Sequence, residues 1–219
     1  MSDKFGILSR KTTPTIEWRD GAVHLIDQTL LPHRTRVLAI TEPDQMVDAI
    51  KRLVVRGAPA IGVAGAYGVA LAARSYGTDT DDFVTAVASI RDARPTAVNL
   101  ARMVDRVAAL AGEGPDRILE EAHAILDEER RASLVMGESG ADLVLELVGD
   151  RPVRAMTICN TGGLATVERG TALAVIQSLH ERGRLEEALP LETRPLLQGG
   201  RLTTWELQQM GAPFRRLVD

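Results

Sequence analysis

The chain is 219 residues long, 45% hydrophobic and 26% charged, with a formal net charge of −4 and a single cysteine. That length holds one large or two small domains. The mild acidity argues against a nucleic-acid partner, and one cysteine forms no internal disulfide, which fits a reducing cytoplasm. The longest apolar stretch, Ala58 to Ala73, carries Gly62, Gly65, Gly68 and Tyr67 and is too short to span a bilayer. Met1-Ser2-Asp3-Lys4 opens no apolar leader, so neither a signal peptide nor a membrane anchor is expected.

In chain order, Ile16–Arg19 and Ala22–Asp27 flank Asp20-Gly21 and read as a hairpin on an Asp-Gly turn. Arg36–Ile40 reads as a third strand. Thr41-Glu42-Pro43-Asp44 reads as a helix start with Thr41 as cap, and Met46, Ile50, Leu53 and Val54 mark that helix's apolar face. Arg56-Gly57-Ala58-Pro59 breaks the pattern and opens a helix of small residues reaching about Tyr76. Its alanines and glycines imply close helix–helix contact.

Further helices are expected at 80–92, 97–111 and 115–147, the last with breaks near Gly137 and Gly140. Arg151-Pro152 marks a boundary, because alternating strand and helix follow: strand 153–158, helix 168–182, strand 187–192, helix 201–210 and strand 213–218. The expected architecture is α/β. A small N-terminal β-hairpin/strand region and a helical bundle fill residues 1–150, and a partial Rossmann-like parallel sheet fills 151–219.

The candidate chemistry gathers at strand ends and Gly/Pro breaks. Cys159 follows the strand 153–158 and precedes Asn160-Thr161-Gly162-Gly163, at the carboxyl end where open α/β sheets build their sites. A lone cysteine there serves equally well as a small buried hydrophobe. Arg56 beside Gly57 and Ala58, at the entry to a helix, suits a phosphate, and Arg94 in a second break supplies the other half of a clamp. Both arginines are also ordinary loop-end residues. Gln198, between an apolar pair and two glycines, reads as an amide for sugar hydroxyls or as a loop tie. Asp219 ends an apolar strand parallel to the one ending at Cys159, and a thiol and a carboxylate on one sheet edge suit proton transfer between adjacent carbons. The histidines His24, His33, His123 and His180 show no metal-ligand spacing, and no Walker loop, G-x-G-x-x-G or zinc pattern is present.

Five segments occur in an order that resembles the S-methyl-5-thioribose-1-phosphate isomerases, members of the superfamily of translation initiation factor 2B subunits. They are Asp27-Gln28-Thr29-Leu30-Leu31-Pro32, Val55–Gly62, Arg94-Pro95-Thr96-Ala97-Val98-Asn99-Leu100, Cys159-Asn160-Thr161-Gly162, and Glu192-Thr193-Arg194-Pro195 with Gln198-Gly199. The resemblance implies an aldose–ketose isomerase of methionine salvage that converts methylthioribose 1-phosphate to methylthioribulose 1-phosphate. It also implies substrate binding by Arg56, Gly57, Ala58, Arg94 and Gln198, stabilisation of the transition state by Cys159, and proton donation by Asp219.

No cofactor and no metal are expected. The expected partner is a small sugar phosphate, in a cytoplasmic homodimer that binds neither nucleic acid nor membrane. The resemblance covers about the first three-fifths of a family member and leaves out an Asn-Lys pair that binds substrate in the family. Two other readings stay open: a non-catalytic regulatory module of the superfamily, and an isomerase of another sugar 1-phosphate such as ribose 1,5-bisphosphate.

Overall fold

The structure is a computed structural model that describes residues 14–219. The leader-free reading of Met1–Lys4 lies outside those residues. The first strands follow the sequence closely. β1 (Ile16–Arg19) and β2 (Ala22–Ile26) pair antiparallel with Arg19 opposite Ala22. Asp20 and Gly21 between them have φ of 52° and 78°. Two successive positive φ values are what a two-residue hairpin needs to match strand twist, which is why Asp-Gly works there. β3 (Val37–Ile40) adds to β2, giving the order β1-β2-β3.

Helix α1 (Pro43–Lys51) is capped by Glu42 rather than Thr41, in a capping box with Gln45. The Gln45 side chain accepts from the backbone N–H groups of both Thr41 and Glu42, so the expected cap becomes one of the capped residues.

Helix α2 (Ala58–Tyr76) is the axis of the molecule, buried at every position from Ala60 to Ala73. α1, α3 (Asp81–Arg91), α4 (Val98–Ala108) and α5 (Pro115–Val148) pack around it. The small residues permit this closeness: a Cβ on Gly65 would lie 2.5 Å from Leu100 Cδ1. α4 brings Leu100, Met103, Val104 and Val107 to the same core.

The sequence predicts breaks in α5 at Gly137 and Gly140; instead it runs unbroken for 34 residues. Its glycines are contact points for α7 (Ala172–Glu181). A Cβ on Gly137 would lie 2.8 Å from the Ala174 carbonyl oxygen, and one on Gly140 would lie 2.5 Å from Val175 Cγ2. Close helix packing outweighs the propensity cost of about 1 kcal/mol per glycine.

Beyond α5, β4 (Val153–Thr157) and β5 (Leu185–Pro190) form a parallel pair. The expected third strand at 213–218 is reduced to two parallel bridges, Ala188 with Phe214 and Leu191 with Leu217. Arg215 N–H donates to Ala188 O and Leu217 N–H to Pro190 O, and Glu192 N–H closes back on Leu217 O. The helix expected at 168–182 is the shorter α7, and a short helical turn not expected from the sequence, α6 (Gly163–Thr166), precedes it. The helix expected at 201–210 opens as a π-helical turn at Gly199–Thr203 before α8 (Thr204–Gln209). The architecture is therefore mixed α/β: an antiparallel sheet, a helical body and a short parallel sheet.

Packing crosses the Arg151-Pro152 boundary. Ile26 and Leu31 share a buried cluster with Leu164, Leu202 and Trp205. The Gln28 side-chain amide donates to Leu164 O at 2.7 Å, and the Thr15 hydroxyl donates to Gly163 O at 2.8 Å. Among the described residues no helix is long and apolar enough to cross a membrane, and no group of His, Cys, Asp and Glu is placed to hold a metal ion.

Candidate active site

The seam between the halves contains a cleft of about 460 Å3, lined among others by Arg56, Gly57, Ala58, Arg94, Cys159 and Gln198. These are six of the seven site residues expected from the sequence, and four separate chain segments deliver them. The volume lies within the range of small-molecule pockets.

The segment Arg56-Gly57-Ala58 leads into α2, with Gly57 as its N-cap at φ 94°. A Cβ there would lie 2.5 Å from both Cα and O of Ala165. Only glycine lets this segment lie flat against the loop that carries Cys159. Ala58, the first residue of the 19-residue α2, lines the cleft, and the positive end of a helix dipole favours an anion there. Burial pulls the Arg56 guanidinium below its ordinary value; the Cys159 sulfur opposes that pull, while Arg201 and Arg94 add to it. Arg201 and Arg94 therefore both lie near enough to Arg56 for their charges to act on it.

Gln198 is placed to tie this site to the next loop. Oriented so that both ends of its amide are satisfied, it donates to Thr193 O at 2.9 Å and accepts from Arg56 Nη2 at 3.2 Å. Cys159 follows β4 with φ 70°, its N–H donating to Thr193 Oγ1 at 2.8 Å and its carbonyl accepting from Thr203 Oγ1 at 2.6 Å.

Asp219 is the exception. It is not among the residues lining the cleft. Its carboxylate accepts from the backbone N–H groups of Thr193, at 2.8 Å, and Arg194. Those two amides, Arg194 first, hold the carboxyl below its ordinary value. A carboxylate held this way takes up a proton less readily than an ordinary aspartate.

Two further residues belong to the site. Arg201 donates to the carbonyls of Leu31, Leu196, Gln28 and Thr29, lacing the 28–31 segment to the 196–201 loop while setting its charge near Arg56. Nothing local in the sequence marks it, because three of these four partners lie far away in the chain. Asn160 lines the cleft with both side-chain polar atoms buried and unpartnered among the described residues. Such an amide is costly unless a ligand or another group completes it. Its place directly after Cys159 was the available signal.

Residues 54–219 match the initiation factor 2 subunit family. The chain belongs to that family. It is 50% identical over 94% of its length to a protein of Nocardia farcinica named a probable bifunctional methylthioribose-1-phosphate isomerase/methylthioribulose-1-phosphate dehydratase, covering 38% of that protein. It is 44% identical over 93% of its length to a 5-deoxyribose 1-phosphate isomerase of Moorella thermoacetica, covering 60% of it. The crystal structure of 5-methylthioribose 1-phosphate isomerase from Pyrococcus horikoshii superposes with a TM-score of 0.87 at 35% identity, over 95% of this chain and 61% of that one. The chain thus spans between two-fifths and three-fifths of the length of these relatives.

Proposed function

We propose that the chain belongs to an aldose–ketose isomerase acting on a sugar 1-phosphate, with methylthioribose 1-phosphate as substrate. One observation carries the reading: Arg56, Arg94 and the N-terminus of α2 converge with Cys159 on a single cleft. The phosphate dianion lies on Ala58 between the two guanidinium groups. Gly57 allows the backbone to approach it, and Gln198 orients Arg56. The adjacent sugar carbons then lie toward Cys159 and Asn160.

A phosphate on C1 keeps the ring closed, so ring opening needs a proton at the ring oxygen. The hydrogen on C2 then passes to C1 by an enediol or by hydride shift. Both routes redistribute hydrogen within the substrate and need no external oxidant or reductant. Cys159 stabilises the transition state in a wall of low polarity. The proton at the ring oxygen is assigned to Asp219. The reading includes a cytoplasmic homodimer and two domains, 1–150 and a Rossmann-like 151–219, with neither nucleic acid nor membrane as partner.

The test follows methylthioribose 1-phosphate by phosphorus NMR in the presence of the protein. The expected result is a new ketose phosphate resonance, absent with Cys159→Ser. No binding and no conversion at millimolar substrate would overturn the reading and leave the regulatory-module alternative. The relative from Moorella thermoacetica favours a second substrate of the same class, 5-deoxyribose 1-phosphate. Competition between the two phosphates decides the preference.

A further inference from the structure

We infer that Gln28 and Glu206 are positioning residues: together they brace the backbone of Leu164 and so hold the thiol loop in place against the arginine arm. The inference rests on the isomerase reading above. Leu164 is fully buried, its side chain in the cluster of Ile26, Leu31, Leu202 and Trp205. Its backbone polar groups therefore need partners inside the protein. The Leu164 N–H donates to Glu206 Oε1 at 3.2 Å, and its carbonyl oxygen accepts from Gln28 Nε2 at 2.7 Å. Both bracing residues are only 1% exposed. Burying an amide and a carboxyl is unfavourable unless hydrogen bonds compensate, and each directs one to the same loop residue.

The neighbouring contacts show what the brace fixes. Thr203 lies three residues before Glu206, on the same face of the helical segment, and donates its hydroxyl to the Cys159 carbonyl at 2.6 Å. One helix start thus grips the loop at Cys159 and again at Leu164. A Cβ on Gly162 would overlap the Glu206 carboxyl, so the loop lies directly on it. Ala165, the next residue after Leu164, is the one on which Gly57 rests. Cys159 sits at φ 70°, a conformation that a residue other than glycine keeps only where its surroundings over-determine it. The anion, in contrast, is gripped by Arg56, Ala58 and Arg94, which belong to other segments of the cleft. Loss of the brace therefore displaces Cys159 and Asn160 and leaves the anion grip in place.

The test uses the 219-residue protein with Gln28→Met and Glu206→Leu, which keep bulk and lose the polar contact, and Glu206→Gln, which keeps an acceptor. Hydrogen exchange of the segment 160–166 is expected to rise about tenfold or more in the first two variants, while α2 stays within about twofold of wild type. Alkylation of Cys159, the sole cysteine, by iodoacetamide should change by about threefold or more. Turnover of methylthioribose 1-phosphate should fall in kcat by about tenfold or more, with inorganic phosphate affinity within about twofold of wild type. Glu206→Gln should stay near wild type in each measurement.

Exchange that rises equally in α2 and in 160–166 would reduce the brace to general stability and overturn the proposal. Unchanged exchange and alkylation in Gln28→Met and Glu206→Leu would overturn it too, as would phosphate affinity that falls in step with kcat. A wild type that neither binds phosphate nor turns over the sugar phosphate would overturn the isomerase reading instead, and exchange and alkylation would then decide the brace by themselves.

Discussion

Gly57 lies directly on Ala165: a Cβ at Gly57 would stand 2.5 Å from Cα and O of that residue. This pair joins the arginine arm to the thiol loop, and neither side yields, because the obstructing atoms are backbone and the glycine φ is 94°. Gly57→Ala is expected to destabilise the fold by about 2–5 kcal/mol, adding left-handed strain to overpacking. Urea denaturation checks the stability, and isothermal titration with phosphate should show affinity falling with it.

Arg56→Ala and Arg94→Ala are each expected to weaken inorganic phosphate binding by about 10- to 150-fold, the equivalent of about 1.5–3 kcal/mol for a charge-assisted contact. Both arginines border the same cleft, so the double variant should show non-additive losses in titration. An unchanged affinity in either single variant would remove that arginine from the anion site.

Asn160→Ala is expected to separate sugar from phosphate. Its amide is buried without a partner among the described residues, so its loss should reduce affinity for methylthioribose 1-phosphate by about 5- to 150-fold, about 1–3 kcal/mol, while leaving inorganic phosphate affinity unchanged. Parallel titrations with the two ligands check it.

A separate prediction concerns pH. Tyr67, fully buried between Trp18 and His123, places its hydroxyl 3.0 Å from His123 Nδ1. Burial holds the imidazole below its ordinary value. A base with a depressed folded-state value binds fewer protons folded than unfolded, so stability rises with pH through this window. The His123 contribution is present above about pH 6.5 and is lost as pH falls through the lower folded value. Thermal melts between pH 8 and 5 should show this decline, and His123→Gln, neutral throughout, should flatten it. The carboxylates of Asp105, Glu128 and Glu138, held low by arginine hydrogen bonds, act in a more acidic window.

Local chemistry made much of this molecule readable. Asp20-Gly21 specified its hairpin, the alanine–glycine run specified a buried helix, and the breaks at Arg56, Arg94 and Cys159 marked the loops that meet at the cleft. What escaped was decided by distant partners. Gly137 and Gly140 resemble helix breakers until α7 is packed on them. The chain near Phe214 and Leu217 has a strand's apolar pattern but pairs only at isolated bridges. Arg201 matters because of carbonyls at Gln28, Thr29 and Leu31, to which no pattern in its own segment points. Asp219 lies beside the right turn, but the direction of its carboxylate depends on two amides that no side-chain pattern reveals.

Helix α5 sets how the cleft admits anything at all. At about 50 Å, it is one unbroken spar packed on α2 in the first half and, through Gly137 and Gly140, on α7 in the second. A continuous helix packed on both halves opposes their swinging apart as jaws do. The segments around Leu53, Thr96 and Leu196 line the same cleft from loops, and loops open at lower cost than packed helices do.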